Sequence, residues 1–198
     1  LGKREGIPVF VDAAAERPDV PNRYLAEGAD AVAYSGGKCL RGPQSSGLVL
    51  GKRDLLWTAF QHGAPHHSIG RPMKASKEEV MGLLAAVEQW VERDHEAEWS
   101  EWESRLETIW QAVAYLPTMT REIRQPGRSN VAPRLQIGWD AKIVELTPDE
   151  AQTALSGGEP RIEVFTHETG LEFMPYMMEP GEETVVADRL RVVIETGK

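Results

Sequence analysis

Asp12 and Lys38 are the two residues of this sequence best placed to do chemistry together. Asp12 closes a short apolar run, Ile7-Pro8-Val9-Phe10-Val11, and Lys38 ends Ser35-Gly36-Gly37-Lys38, which comes after a second apolar run, Ala31-Val32-Ala33-Tyr34. Their separation, 38 − 12 = 26 residues, is that of one strand–helix–strand step. In an open α/β sheet ligands bind outside the carboxyl ends of parallel strands, so both side chains are expected to face one crevice. A carboxylate and an amine on either side of a ligand fit pyridoxal phosphate. The lysine would form a Schiff base with it, and the aspartate would keep its ring nitrogen protonated, so that the ring draws in electrons. Ser35 and the N–H groups of Gly36 and Gly37 offer ligands for the phosphate, because glycine lets the backbone approach an anion closely. Taken singly, each residue also has a plainer reading. A carboxylate after a strand commonly serves a turn, and a lysine in a glycine-rich loop is commonly solvated.

The elements that must position these residues can be read from pattern. Continuous apolar runs suit strands covered on both faces, as in parallel sheets under helices. Residues Asn22 to Gly28 supply a short helix between the two strands, Leu48-Val49-Leu50 a third strand, and Lys52 to His62 a helix; His66 to Ala75 reads as a loop. Ser76 and Glu79 form a capping box. From there Val80, Leu84, Val87 and Val91, then Trp99, Trp102, Leu106, Ile109, Trp110 and Val113, recur at helical spacing. They predict one long helix, straight or kinked, over 76–116, ended by Pro117. Beyond it, strands are expected at Thr118 to Arg124, Pro133 to Trp139, Arg161 to Thr166 and Gly170 to Tyr176. Thr147-Pro148-Asp149-Glu150 opens a short helix, and Glu182 to Ile194 forms a closing one.

The stretch Tyr34-Ser35-Gly36-Gly37-Lys38-Cys39-Leu40-Arg41-Gly42-Pro43-Gln44-Ser45-Ser46-Gly47 resembles the lysine segment of fold-type-I pyridoxal-phosphate enzymes. It is most similar to the group of L-seryl-tRNA(Sec) selenium transferase-like proteins and D-glucosaminate-6-phosphate ammonia-lyases; serine hydroxymethyltransferases carry a related pattern. Val11-Asp12-Ala13-Ala14-Ala15 is similar to the group's aspartate strand. Gly70-Arg71-Pro72-Met73-Lys74, Lys77-Glu78-Glu79 and Gly82 to Glu88 resemble the group's next segment, with a fainter echo at Phe173-Met174-Pro175. The resemblance implies an α/β fold in three parts. These are the end of a fold-type-I large domain with a mostly parallel sheet (1–75), a bridging helix (76–116) and a small α+β domain (117–198).

It also implies roles. Lys38 and Asp12 would be catalytic and hold pyridoxal 5'-phosphate, with Ser35 and Gly37 at its phosphate. Gly42 and Gln44 would reach the cofactor phosphate of a neighbouring subunit, which implies a homodimer. The expected reaction is α,β-elimination by a lyase on a small amino acid or amino sugar acid, with or without a phosphate group. A selenium-transferase-like or other transferase or aminotransferase activity is the alternative, and a non-catalytic structural partner a third. Arg134 is a candidate clamp for a substrate carboxylate or phosphate, or else a surface arginine. Arg71 with Lys74 is a second candidate anion site, and His67 can reach a pocket from its loop. The group's glycine-rich phosphate loop and ring-stacking side chain precede the aspartate strand, and neither is in this sequence. The opening Leu1-Gly2-Lys3-Arg4-Glu5-Gly6 reads as entry into the middle of a fold. We therefore expect the C-terminal half of an enzyme, completed by an N-terminal half on a separate or cleaved chain.

Composition narrows the rest. Over 198 residues, 41% are hydrophobic and 27% charged, which is globular rather than disordered composition. The net charge of −9 argues against a surface that coats nucleic acid. No apolar run approaches the roughly 20 residues of a membrane helix. With one cysteine the chain can form no internal disulfide and no multi-cysteine metal site. A soluble, cytoplasmic protein without a metal is expected. Adjacent His66 and His67 point opposite ways on an extended chain, and Cys39 reads as a packing residue.

Overall fold

The computed structural model describes residues 2–127 and 131–196, so Leu1 lies outside the described residues. The chain divides into two compact units, the first running to Arg93 and taking in Val131, the second beginning at Asp94.

The first unit contains α1 (Gly2–Glu5), β1 (Phe10–Asp12), α2 (Arg23–Ala26), β2 (Ala31–Ser35), β3 (Gly47–Gly51), α3 (Arg53–Gln61) and α4 (Lys77–Glu92). Its sheet has the order β1-β2-β3. The expected strand–helix–strand step is present: β1 and β2 are parallel, with Asp12 level with Ala33. β3 runs antiparallel to β2, which a short connection such as residues 36–46 permits and a parallel return would not. Alternation along the strands puts Val32 and Tyr34 with Leu48 and Leu50 on the side of the core, where Cys39, Leu40 and Trp90 complete the cluster.

α4 covers that core with a face other than the expected one. Ala86 and Trp90 are buried and Leu83 and Val87 pack beside them, whereas Val80, Leu84 and Val91 are 56%, 48% and 64% exposed. Both rows are apolar at helical spacing. The row with the indole wins because Trp90 removes the most apolar area from water and its Nε1–H finds the Pro18 carbonyl at 2.9 Å.

The expected single long helix is two helices. Arg93 is extended (ψ 134°), and Asp94 caps a new helix, α5 (His95–Gln111), accepting from the Glu96 and Ala97 N–H groups. An aspartate side chain offering to cap the backbone competes with helix continuation at that point. The boundary between the units falls here, so 76–116 is not one bridging element.

The second unit continues with β4 (Thr120–Arg124), β5 (Arg134–Gly138), α6 (Ala141–Val144), α7 (Pro148–Ser156), β6 (Phe165–His167), β7 (Gly170–Phe173) and α8 (Glu182–Thr196). Its sheet, β4-β5-β7-β6, is antiparallel throughout. Leu106 and Ile109 from α5, Val113 just beyond it, Leu135 and Ile137 from β5, Leu155 from α7 and Leu190 and Val193 from α8 form its core, all fully buried. The α+β architecture is as expected, with one strand shifted. Residues 161–164 are held by α7, through Ile162 N–H to the Leu155 carbonyl and the Gln152 amide to the Val164 carbonyl, so β6 begins only at Phe165.

Candidate active site

The parallel register brings Asp12 and Ser35 to the same end of adjacent strands. Residues paired in a parallel ladder share a face, and alternate residues along a strand do too. Asp12, Ala33 and Ser35 therefore lie on the face opposite Val32 and Tyr34. Beyond the strands the two chains stay joined, by Ala13 N–H to the Ala33 carbonyl (2.9 Å) and Ser35 N–H to the Ala14 carbonyl (3.3 Å). Asp12 is exposed, and its Oδ1 accepts the Ala14 N–H at 3.1 Å. That bond orients the carboxylate through one oxygen, so the turn role leaves the second oxygen open to another donor.

Lys38 is exposed at the start of loop 36–46. The loop is stapled at its neck by Gly36 N–H to the Ser46 carbonyl (2.9 Å) and Gly42 N–H to the Gly36 carbonyl (2.7 Å), and Arg41 takes a left-handed backbone (φ 58°). Glycine is demanded by contact. A Cβ on Gly36 would overlap Ser46, and one on Gly37 would meet the Gln44 Cα and Oε1 at 2.7 Å. The next residue, Cys39, is buried with its thiol on the Ala15 carbonyl (3.5 Å). Lys38 is thus anchored through its neighbour to the segment just past Asp12. Burial pushes the Cys39 thiol up, as suits a packing residue.

Three residues named for phosphate contacts also have contacts inside this loop. The Gly36 N–H is already bonded to Ser46, so it is not a donor to an anion. Gly42 closes the loop, and a Cβ there would press on Ala86 and the Gly36 carbonyl at 3.2 Å. The Gln44 amide, exposed, donates to the Gly37 carbonyl of its own loop at 3.4 Å. The Ser35 hydroxyl and the Gly37 N–H, by contrast, have no hydrogen-bond partner among the described residues. The chemistry of these groups, a carboxylate, an amine, a hydroxyl and one N–H on or next to adjacent strand ends, is of the kind that could hold a pyridine ring bearing an aldehyde and a phosphate.

Arg71, Lys74 and Lys77 line a cleft of about 800 Å³ with Ala64, Pro65 and Ser68. Arg71 is steadied by its Nη1 donating to the Pro65 carbonyl at 3.1 Å. The expected pair Arg71 and Lys74 thus borders the same cleft as Lys77. His67 is exposed on the same loop and is not part of the cleft wall. Arg134 belongs to the second unit, where its Nη1 meets Glu172 Oε1 at 2.5 Å and its guanidinium lies 5.8 Å from the Phe165 ring centre. Its fork is engaged by its own chain. No helix among the described residues is long and apolar enough to cross a membrane.

No protein-family profile matches the chain. It is 30% identical over 201 residues, all of this chain, to 5'-C-glycyluridine monooxygenase-decarboxylase of a Streptomyces species. It is 29% identical over 194 residues (96% of this chain) to D-glucosaminate-6-phosphate ammonia lyase of Salmonella typhimurium, and 26% identical over 98% of this chain to L-seryl-tRNA(Sec) selenium transferase of Edwardsiella ictaluri. A solved structure of D-glucosaminate-6-phosphate ammonia-lyase superposes with a TM-score of 0.73 at 26% identity, covering 98% of this chain and 51% of that one. The chain spans about half the length of the relatives it matches: 49%, 49% and 40%.

Proposed function

We propose that this chain, a homologue of the D-glucosaminate-6-phosphate ammonia lyases and selenium transferases with the architecture of fold-type-I pyridoxal-phosphate enzymes, carries the lysine side of such an enzyme's active site. The observation that carries the reading is the parallel register of β1 and β2, which puts Asp12, Ser35 and the stapled Lys38 loop at one strand end. Lys38 would be the covalent attachment point, and its amine the group that takes and returns the proton at the substrate Cα. Asp12 would hold a proton on the pyridine nitrogen, with its own orientation set by the Ala14 N–H. Ser35 and the Gly37 N–H would receive the phosphate. Pyridoxal phosphate, when bound, supplies an electron sink for charge that develops at Cα.

The relatives differ in reaction, being by name a lyase, a monooxygenase-decarboxylase and a transferase. For this chain we favour a lyase that eliminates from a small amino substrate bearing an anionic group, with that group in the Arg71–Lys74 cleft. Arg134, already matched by Glu172, is the weaker clamp. The three-stranded sheet, with exposed Phe10, Val49, Trp57 and Phe60 in the same unit, supports completion by an N-terminal half, within a homodimer or larger assembly.

The test is chemical trapping. The completed protein should show the absorption of lysine-bound cofactor. Borohydride reduction should fix the cofactor mass to the peptide containing Lys38, and Lys38→Ala should lose both the band and turnover by several orders of magnitude. Reduced cofactor found on another lysine would overturn the assignment.

A further inference from the structure

The cleft beside α4 holds more than its cations. In this acidic chain none of Arg71, Lys74 and Lys77 is ion-paired among the described residues, so three positive charges border one hollow without compensation. The wall between them is Ser68, whose Oγ lies 2.7 Å from His62 Nδ1. His62 is itself fixed as the residue that ends α3, its N–H reaching the Thr58 and Ala59 carbonyls. The intervening loop is closed on it: Gly70 N–H meets the His62 carbonyl at 2.9 Å, Gly63 and Gly70 form a bridge, and a Cβ on Gly70 would meet the His62 carbonyl at 2.7 Å. Arg71 N–H in turn donates to the Ser68 carbonyl at 3.1 Å. The serine, its histidine and the arginine are thus held as one preformed unit.

We propose that Ser68 is a ligand for a tetrahedral dianion, a phosphate monoester, in the Arg71–Lys74–Lys77 cleft, and that His62 is its positioning residue and takes up a proton as the anion binds. A serine has one hydroxyl proton. When His62 Nδ1 is bare it accepts that proton, and the serine turns lone pairs toward the cleft. When Nδ1 carries hydrogen it donates to Oγ, and the hydroxyl is released to donate to the anion. Binding therefore selects the form with hydrogen on Nδ1, which the imidazolium always has. Around His62, the last turn of α3 brings no charged side chain; Arg53 and Asp54 belong to its first turn. The loop contributes His66, turned to the Phe60 carbonyl and ring, with His67, Arg71 and Lys74, and the first turn of α4 contributes Lys77 together with Glu78 and Glu79, whose carboxylates are engaged at the Ser76 cap. Of these, Arg71, Lys74 and Lys77 line the cleft, and an incoming dianion relieves their mutual repulsion.

This rests on the reading of the cleft as the substrate's anion site, yet it can be tested apart from the lysine chemistry. Sulfate is the probe, since it keeps its charge across the range where histidine titrates, about pH 5 to 8. Titration calorimetry on the full chain should show binding that weakens as pH rises. Ser68→Ala should bind about tenfold more weakly at the acid end, the size of one hydrogen bond to a charged group. His62→Asn keeps a donor near the Nδ1 position without a titrating ring. It should retain acid-side affinity within about threefold and lose most of the pH slope, the readout that a merely structural histidine would not move. Unaltered binding in Ser68→Ala, or the full slope in His62→Asn, overturns the proposal. The same titration on Lys38→Ala should be unchanged, so failure of the Schiff-base reading and failure of the anion site are separable. Pyridoxal phosphate that leaves the sulfate isotherm unmoved keeps the cleft for substrate; displacement would give it to the cofactor phosphate and overturn the substrate assignment.

Discussion

On the second sheet the Arg134 guanidinium is matched by a carboxylate of its own chain, and that match has a pH signature. Burial pushes the Glu172 carboxyl up, but the Gln136 amide at 2.8 Å and Arg134 outweigh it and hold the group below the usual carboxylate range. A group whose folded value is depressed contributes stability that is present above its unfolded value, about pH 4.3, and lost as pH falls through the folded one. Glu172→Gln should therefore cost about 1 to 3 kcal/mol at neutral pH. The cost should shrink below about pH 4, as measured by urea unfolding at a series of pH values. An equal cost at pH 3 and pH 7 would mean that the ion pair is not what the variant removes. At this scale the sequence was legible where chemistry and spacing coincide. Asp12 and Lys38 stand one strand–helix–strand step apart, and that step is in the structure. It was not legible where a contact depends on loop closure. Nothing in the run from His62 to Ser68 announces their hydrogen bond, which needs the bridge between Gly63 and Gly70 to bend the chain back. The Gly36 N–H was misread for a similar reason, since glycine's freedom was visible but its internal partner Ser46 was not.

Asp94 decides where one element stops and the next begins. Its side chain accepts from two N–H groups of α5's first turn. Asp94→Ala should lower the stability of the second unit by about 1 kcal/mol, the usual cost of losing an N-cap, measured by denaturant unfolding. An unchanged midpoint would mean that α5 begins without its cap. Helical spacing reports which residues share a face but not whether the backbone is continuous, so Val80 to Val113 read as one helix. It also does not choose between two apolar rows one residue apart. Packing made that choice at Trp90, and the row carrying Val80, Leu84 and Val91 stayed in solvent. Strand positions were legible where turns flank them, as at β4, β5 and β7. β6 was displaced because α7, rather than β7, takes the preceding residues.

At the scale of the molecule, the chain has a unit with a three-stranded sheet and a second compact α+β unit, and spans about half the length of its relatives. The resulting expectation is quantitative in cofactor. On the proposed function, the chain by itself should bind pyridoxal phosphate at least tenfold more weakly than the chain joined by an N-terminal half, because the proposed ring contacts, Lys38 and Asp12, are both exposed. Absorbance titration with and without that half measures this; equal affinities would remove the need for one. Within the first unit, Glu79 links two things that look separate. Its carboxylate accepts the Ser76 N–H at 2.7 Å to close the capping box of α4, and it also receives the Ser45 hydroxyl from the loop that carries Lys38. Fraying of that first helical turn would thus slacken the strap holding the lysine. Amide deuteration of residues 77–79 and of the 36–46 stretch should then proceed at matched rates, and Glu79→Ala should speed both together.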